Sequence, residues 1–354
     1  MNTRHSAAFT AILAAVLFGA TTPFAKALLG QLSPFMVAGL FYLGSGCGLA
    51  IAMLVRRMRR APDSSGQNEP VMPLKEIPWL IGAIVAGGVA GPALLMFGLN
   101  ATPAATTSLL LNLEGVFTAL IAWLVFRENV DTQICLGMMA IVVGGVLLSW
   151  QPGSEGAGAP ALLVAAACLC WAIDNNLTRK VSTNDAMFIA CIKGLVAGVV
   201  NTGIALSLGA HVPAPGLIAA SMVAGLVGYG VSLVLFVVAL RHLGTARTGA
   251  YFSVAPLFGV AISFALWPER PTTFFWIAAV CMALGVWLHL RERHMHEHTH
   301  ESLEHSHRHR HDEHHRHQHD FDWDGTEPHV HPHRHVPVTH THAHFPDIHH
   351  RHRH

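Results

Sequence analysis

The sequence predicts an all-α membrane protein of ten transmembrane helices, arranged as two inverted five-helix repeats and followed by a disordered His-rich tail. Three observations predict this fold: ten apolar runs of similar length, basic residues confined to alternate loops, and a pattern repeated in the two halves. Residues 1–150 form the first predicted repeat, residues 151–290 the second, and residues 291–354 the tail. Charged residues make up 12% of the chain, about half the fraction found in soluble domains.

The apolar runs are each long enough to cross a bilayer. About 20 apolar residues, at about 1.5 Å each, span a hydrocarbon core of about 30 Å. The core offers no partners to free backbone groups, so each run is predicted to be a helix in contact with lipid. Numbered as spans one to ten, the runs are 8–27, 35–55, 77–99, 104–126, 132–150, 159–180, 186–208, 217–240, 245–267 and 271–290.

Basic residues in the loops predict the orientation of the chain, because Lys and Arg collect in short loops on the cytoplasmic side. Lys or Arg residues lie in or directly beside the loops after spans two, four, six and eight, whereas the loops after the odd-numbered spans carry only Arg270. Both termini are therefore predicted to be cytoplasmic, in a multi-pass protein of the bacterial inner (plasma) membrane. The basic cluster at residues 56–60 flanks a span, so no nucleic-acid partner is indicated.

The two halves of the chain repeat a pattern at an offset of 141 residues. The segment at residues 104–128 resembles the segment at residues 245–269, and the matching pairs are Phe117 with Phe258, Ile121 with Ile262, and Glu128 with Glu269. Because each half holds an odd number of spans, homologous halves would have opposite orientations in the membrane. Inverted repeats are a common plan of secondary transporters, which bind substrate at the repeat interface near mid-membrane.

Three charged residues lie deep inside the predicted spans, away from the span ends: Glu114, Asp174 and Lys193. A charge at the bilayer centre costs about 2.5–3.5 kcal/mol on insertion scales, so each of these residues requires an explanation. Asp174 and Lys193 both lie about 10 Å from the predicted cytoplasmic surface, at about 1.5 Å of helix per residue. We therefore expect them to pair, either as a static structural ion pair or as a pair that breaks and re-forms as the carrier rocks.

Glu114 lies near the middle of span four and has no obvious partner at its depth. A carboxylate in apolar surroundings takes up a proton more readily than one in water. One interpretation is that Glu114 couples transport to the proton gradient or binds a cationic group. The alternative is a neutral acid that is hydrogen-bonded to Asn112 or to a backbone carbonyl.

Neutral polar residues and one further lysine complete the set of candidate substrate contacts. The neutral candidates are Asn112, Asn175, Asn176 and Tyr229. For each of them an interhelical hydrogen bond is the alternative role. Lys26 lies near the outer end of span one, where its amine can also reach the membrane surface.

Histidine dominates the tail, where H-x-H repeats begin at His294. This composition cannot build a core, so the tail is predicted to be disordered. Neutral imidazole suits Zn, Ni, Co and Cu ions. The rival roles are a pH-sensitive charge switch or a tolerated low-complexity segment. The candidate metal ligands are His294, His296, His298, His300, His305, His307, His309, His311, His315, His317 and His319.

Three segments carry a resemblance to a known family: LAAVLFGATTPFAKALL, ALLMFGLNATPAATTSLLLNLEGVFTALIAWLVFRENV and LFVVALRHLGTARTGAYFSVAPLFGVAISFALWPERP. In order and duplication they resemble the EamA-like branch of the drug/metabolite transporter superfamily. The resemblance implies a ten-helix, inverted-repeat carrier that moves small metabolites, often outward. The chain departs from the family pattern at Gly115, where proline is usual, and in the Asp174-Asn175-Asn176 triplet.

Transport is the predicted function, with two candidate substrates. The first is a small organic metabolite, exported by alternating access with coupling to protons, and the tail is then accessory. The second is a divalent metal or its chelate, which the tail gathers or senses. An intramembrane enzyme or a scaffold is the alternative of another class, although neither H-E-x-x-H nor G-x-S-x-G occurs. No cofactor is required for transport, and the sequence leaves a homodimer open.

Overall fold

A computed structural model of the protein describes residues 3–59, 73–126, 132–149, 158–181, 185–243, 251–267, 271–290, 294–300, 304–309, 329–334 and 338–344. The chain divides into two compact units, Met1–Glu292 and Arg293–His354. We call the first the membrane unit and the second the tail.

The described part of the membrane unit is all-helical. Its first helices are α1 (Thr3–Leu29), α2 (Pro34–Arg59), α3 (Ile77–Ala83, Ile84–Ala90 and Gly91–Ala101), α4 (Ala104–Leu110 and Leu113–Phe126) and α5 (Thr132–Ser149). The remaining helices are α6 (Gly158–Val181), α7 (Ala186–Ser207), α8 (Pro215–Gly225, Leu226–Val231 and Ser232–Leu243), α9 (Ala255–Leu266) and α10 (Thr273–Leu290). In order, they overlap the apolar runs of the sequence.

Eight of the described helical stretches are long and apolar enough to cross a membrane. Two shorter apolar helices, Ala255–Leu266 and Thr273–Leu288, lie in α9 and α10. The protein is therefore a multi-pass integral membrane protein. Helix α6 runs without interruption through the Asp174-Asn175-Asn176 triplet.

Helices α3 and α8 each contain a π-helical segment, Ile84–Ala90 and Leu226–Val231 respectively. In α3 the Gly91 N–H bonds the carbonyl of Ala86, and in α8 the Ser232 N–H bonds the carbonyl of Val227. Both bonds reach back five residues, and the two segments are related by the repeat offset of 141. Such π segments are rare and frequently mark functional sites, because they pass over one backbone carbonyl.

Helices α4 and α9 are both interrupted, at positions that match to within one residue at the offset of 141. The break in α4 falls at residues 111–112, and the break in the α9 region falls at residues 253–254. Proline explains two of these irregularities, because its ring displaces the preceding helical turn. Pro92 begins the helix that follows the π segment of α3, and Pro256 begins the helix that follows the break at 253–254.

Packing separates the helices into two similar groups. Helices α3 and α4 pack on α6, whereas α8 and α9 pack on α1. Helices α2 and α7 cross each other between these groups, and α10 packs on α5. Glycine permits the crossing of α2 and α7, since a Cβ on Gly194 would lie 2.7 Å from the Gly46 Cα. Close approach at small residues is the usual way in which helices associate in lipid.

The tail contains four strands: β1 (His294–His300), β2 (Glu304–His309), β3 (His329–Arg334) and β4 (Val338–His344). Strand β1 pairs with β4 and strand β2 pairs with β3, both in antiparallel register. The prediction of a disordered tail is therefore wrong for these four segments. The H-x-H alternation, which composition alone overlooks, has the two-residue period of a β-strand.

Candidate substrate site in the membrane unit

An ion pair between α6 and α7 lies inside the membrane unit, as the sequence predicted. The Lys193 Nζ atom is 2.6 Å from both carboxylate oxygens of Asp174. The Thr178 hydroxyl donates a further hydrogen bond to Asp174 Oδ1 at 2.8 Å. Asp174 is only 6% exposed, so the pair is poorly screened and the loss of either partner would leave a buried charge.

The π segment of α3 supplies the backbone that packs against Asp174. A Cβ on Gly87 would overlap the Asp174 carboxylate, so glycine is required for this approach. The Gly87 carbonyl has lost its usual helical donor, because the Gly91 N–H bonds to Ala86. Two side chains replace that donor, the Tyr42 hydroxyl at 2.8 Å and the Trp171 indole N–H at 2.9 Å.

A second carbonyl of the same segment is freed by proline. Pro92 has no N–H to donate to the Gly88 carbonyl, four residues earlier. The side-chain amide of Asn201, in α7, donates to this carbonyl at 3.0 Å. Asn201 is fully buried, and its own side-chain oxygen has no partner among the described residues.

Glu114 lies in the first turn of the second part of α4, directly after the break. The Asn175 amide donates to Glu114 Oε1 at 2.9 Å, so the expectation that Glu114 has no partner at its depth is wrong. The alternative prediction, a hydrogen bond between Glu114 and Asn112, is also wrong. The Asn112 amide donates instead to the Leu109 carbonyl at 2.9 Å. At the break the Asn112 side chain bonds the preceding helical turn. Asn175 reaches Glu114 because it lies on α6, which packs beside α4.

The three charged groups form one electrostatic cluster. Asn175, which donates to Glu114, directly follows Asp174 in α6, and Asp174 in turn pairs with Lys193. Since Asp174 and Lys193 balance each other, the cluster carries one net negative charge when Glu114 is ionised and none when it is protonated.

Aromatic rings gather around Tyr229, in the π segment of α8. Its ring centroid is 6.1 Å from that of Phe18, 5.8 Å from Phe41 and 5.3 Å from Tyr42. The Phe252 ring is 5.3 Å from that of Phe18. The sequence prediction included Tyr229 and missed the other rings, because aromatic residues are scattered through all the spans and only tertiary packing groups them.

Two further candidates make backbone contacts. The Asn176 amide donates to the Ala172 carbonyl at 2.8 Å, within its own helix. The Lys26 amine donates to the carbonyls of Leu99 at 2.7 Å, Asn100 at 3.0 Å and Thr102 at 3.0 Å. Leu99 lies twelve residues beyond Gly87 in α3, about 18 Å along the helix. The structure therefore places Lys26 away from the charged cluster.

An apolar cavity of about 150 Å³ lies beside both helix breaks. Its lining residues are Asn112, Val254, Leu257, Met282, Ala283, Val286 and Trp287. Asn112 is the polar residue of this lining, two residues before Glu114. None of the residues of the Asp174–Lys193 pair lines it, so the cavity and the ion pair are separate features.

Metal ligands are not grouped in the described part of the chain, where no three His, Cys, Asp or Glu residues could together hold an ion. In the tail, the backbone register sets His294 opposite His344 and His296 opposite His342. The predicted ligands from His294 to His309 lie in β1 and β2. His311, His315, His317 and His319 lie outside the described residues.

Comparison with known proteins identifies the family. The EamA-like transporter family model matches residues 5–150 and 159–291. The chain belongs to the EamA-like transporter family. This EamA-like transporter is 28% identical over 291 residues to a protein of Methanothermobacter thermautotrophicus that is named an uncharacterized transporter, across 78% of this chain and 84% of the relative. The family and this relative confirm the predicted resemblance and show that the chain is a membrane transporter and not an enzyme.

A solved structure supports the fold of this EamA-like transporter. This structure, described as "Crystal structure of protein", is 17% identical to the chain in sequence. It superimposes with a TM-score of 0.59 and covers 80% of this chain and 95% of its own. At this level of identity the likeness concerns the fold alone.

Proposed function

We propose that this transporter exports a small organic metabolite by alternating access, in exchange for protons that Glu114 carries. The observation that supports this most directly is the hydrogen bond from Asn175 to Glu114, beside the Asp174–Lys193 pair. The cluster lies where α4 is broken, and broken helices near mid-membrane form the substrate sites of many secondary transporters.

The proton and the substrate would compete for the same carboxylate. When Glu114 is ionised, the cluster attracts a positively charged or hydrogen-bond-donating group. When Glu114 is protonated, that attraction falls and the substrate leaves. One proton enters for each substrate released, and the Asn175 amide holds the carboxyl in place in both states.

The Asp174–Lys193 pair is proposed to break and re-form during the cycle. Its two residues lie on neighbouring helices, α6 and α7, and α6 also carries Asn175. A relative shift of these helices would therefore change the ion pair and the environment of Glu114 together. A static pair remains the alternative, and a charge exchange between the two positions tests it in the Discussion.

The orientation and location follow from the loop charges. Both termini are proposed to be cytoplasmic, because Lys and Arg occupy the loops on that side. The two stretches that match the family model support two repeats, and an odd number of spans in each makes them inverted. We place the protein in the bacterial inner membrane, as a monomer or a homodimer.

Proton coupling is tested with Glu114→Gln, which keeps the shape of the side chain and removes its titration. Growth of cells with and without the gene, on a panel of toxic metabolites and metals, first identifies an exported compound. Transport of that compound into inverted or reconstituted vesicles is then measured with and without a pH gradient. We expect wild type to be stimulated by the gradient and Glu114→Gln to lose that stimulation.

The control is Glu76→Gln, which removes a carboxylate from the 3₁₀ turn that precedes α3. This variant should respond to the gradient as wild type does. Stimulation that persists unchanged in Glu114→Gln would overturn the proton role, whereas absence of transport by wild type for every compound of the panel would overturn the export function.

Export of a divalent metal or its chelate is the second candidate function, favoured by the opposed histidines of β1 and β4. We propose that the tail binds Zn, Ni, Co or Cu ions whichever substrate the membrane unit carries. A chain that ends at Glu292, the last residue of the membrane unit, should lose binding of ZnCl₂ in a calorimetric titration. If the truncated chain exports metal at the full rate, the tail is not the collector that this second function requires.

A further inference from the structure

The membrane unit presents two faces of different chemistry, one from each group of helices. The polar face consists of Glu114, Asn175, Asp174 and Lys193, which belong to α4, α6 and α7. The aromatic face consists of Phe18, Tyr229 and Phe252, from α1 and α8 and from the turn before the α9 break. Helices α4 and α9 are related by the repeat offset of 141, so the difference between the faces is an asymmetry of otherwise similar halves.

The matched π segments show this asymmetry at one atom. In α3 the carbonyl of Gly87 receives the Tyr42 and Trp171 donors. In α8 the carbonyl of Gly228 has also lost its usual donor, because the Ser232 N–H bonds Val227 instead. Among the described residues no side chain donates to Gly228. The aromatic face therefore contains a buried acceptor without a side-chain donor.

The polar face also has an unmet acceptor. Asn175 donates to Oε1 of Glu114, and no described side chain donates to the other carboxylate oxygen. The Lys193 amine already donates to both carboxylate oxygens of Asp174. Glu114 is half-buried, and a ligand that brings N–H donors and a positive charge matches its second carboxylate oxygen, the Gly228 carbonyl and the negative charge of the cluster.

Tyr42 shows that the two faces adjoin. Its hydroxyl bonds the Gly87 backbone beside Asp174, and its ring is 5.3 Å from that of Tyr229. A ligand that lies beside Tyr42 would therefore contact both faces, and aromatic rings next to a cationic group add a cation–π attraction.

We propose that the substrate of this transporter is a small aromatic amine, whose protonated nitrogen binds Glu114 and whose ring packs among Phe18, Tyr229 and Phe252. The identity of the substrate class rests on the proposed export function, but binding can be measured without transport. An aromatic acid is the main rival, because its carboxylate could displace Asp174 from Lys193.

The test measures binding of four probes to the purified full-length protein in lipid nanodiscs. The probes are 2-phenylethylamine, 2-cyclohexylethylamine, 3-phenylpropionate and butylamine, which differ in ring, charge or size. We expect 2-phenylethylamine to bind at least about tenfold more tightly than each of the others, because it alone combines the charge-assisted and cation–π contacts.

Variants assign the two contacts. Glu114→Gln should remove the preference for the amine over the acid, and Tyr229→Leu should reduce the preference for 2-phenylethylamine over its cyclohexyl analogue. Tyr229→Phe keeps the ring and should retain that preference, which separates recognition from misfolding. Gly115→Ala is the matched control in α4, since a Cβ there meets nothing within 4 Å.

Each outcome decides the inference. Equal or tighter binding of 3-phenylpropionate would overturn the cationic group, and equal binding of butylamine or the cyclohexyl amine would overturn the aromatic one. If none of the probes binds, the proposed substrate class is wrong. Transport of another compound in vesicles would in that case still support the export function. If the amine binds but vesicles show no export, the export function fails and the assignment of the ligand remains.

Discussion

The backbone of Gly87 lies against the carboxylate of Asp174 with no room for a side chain between them. This contact fixes the position of the ion pair, because Asp174 is held on one side by Gly87 and on the other by Lys193. The contact joins α3 to α6 at the π segment, where the Gly87 carbonyl lacks its usual helical donor.

Replacing Gly87 with alanine should therefore displace Asp174 and destabilise the protein. Overpacking of a well-packed interior costs about 1–3 kcal/mol. Gly203→Ala, in α7, is the matched control because its Cβ meets nothing within 4 Å. We expect the apparent Tm in detergent to fall for Gly87→Ala and to stay at or above the wild-type value for Gly203→Ala. Equal values for both variants would contradict the close contact.

The matched glycine in α8 allows a rescue experiment. A Cβ on Gly228 would overlap the Thr21 methyl group, at the tip of a side chain. Gly228→Ala should lower the apparent Tm, and the double variant with Thr21→Ser should recover most of the loss, because serine lacks that methyl. Thr21→Ser alone supplies the reference. Failure of the double variant to recover would show that the crowding lies elsewhere.

The Asp174–Lys193 pair should behave as a buried pair whose partners are needed together. Removal of one partner from a buried pair costs about 3–5 kcal/mol, because the other charge is left uncompensated. We expect Asp174→Asn and Lys193→Gln each to lower the apparent Tm strongly. The neutral double variant should be closer to wild type than either single variant is.

Exchanging the charges separates folding from transport. The double variant Asp174→Lys with Lys193→Asp should recover stability that each single change loses. If the pair breaks and re-forms during the cycle, this variant should fold well and transport slowly. If the exchange recovers neither stability nor transport, the two side chains do not act as a pair.

The sequence was sufficient for features that depend on position along a helix. Asp174 and Lys193 could be paired from their depths alone, because helical rise converts residue number into distance. Pro92 and Pro256 are also visible in the sequence, and proline disturbs the helix in which it lies. The order of the helices followed from the apolar runs.

Features that depend on which helices pack together could not be predicted in this way. Asn175 reaches Glu114 because α6 packs along the broken helix α4, and Tyr42 reaches Gly87 because a π segment freed that carbonyl. Neither the break at 111–112 nor the π geometry has a distinctive residue signal apart from the following Pro92. In the tail, composition suggested disorder where the H-x-H period matched a strand.

Lys26 is expected to act as a helix-end contact, since its amine bonds three carbonyls near the end of α3. Lys26→Met should lower the apparent Tm, because hydrogen bonds to a charged group are worth about 1.5–3 kcal/mol. Binding of 2-phenylethylamine, measured below the unfolding temperature, should not change. A loss of ligand affinity without a loss of stability would instead return Lys26 to the set of substrate contacts.

The bond from Asn201 to the Gly88 carbonyl should depend on Pro92, because proline is what leaves that carbonyl free. Asn201→Leu should therefore cost about 1–3 kcal/mol, the usual penalty for an unsatisfied buried acceptor. In a Pro92→Ala background the new N–H at position 92 can donate to the same carbonyl, so Asn201→Leu should cost less. The free energy of unfolding is measured by SDS titration in mixed micelles for wild type, the two single variants and the double variant. Together these values give the coupling between the two positions. Strictly additive effects would show that other contacts hold Asn201. They would also show that Pro92 is not the reason why the Gly88 carbonyl is free to accept from Asn201.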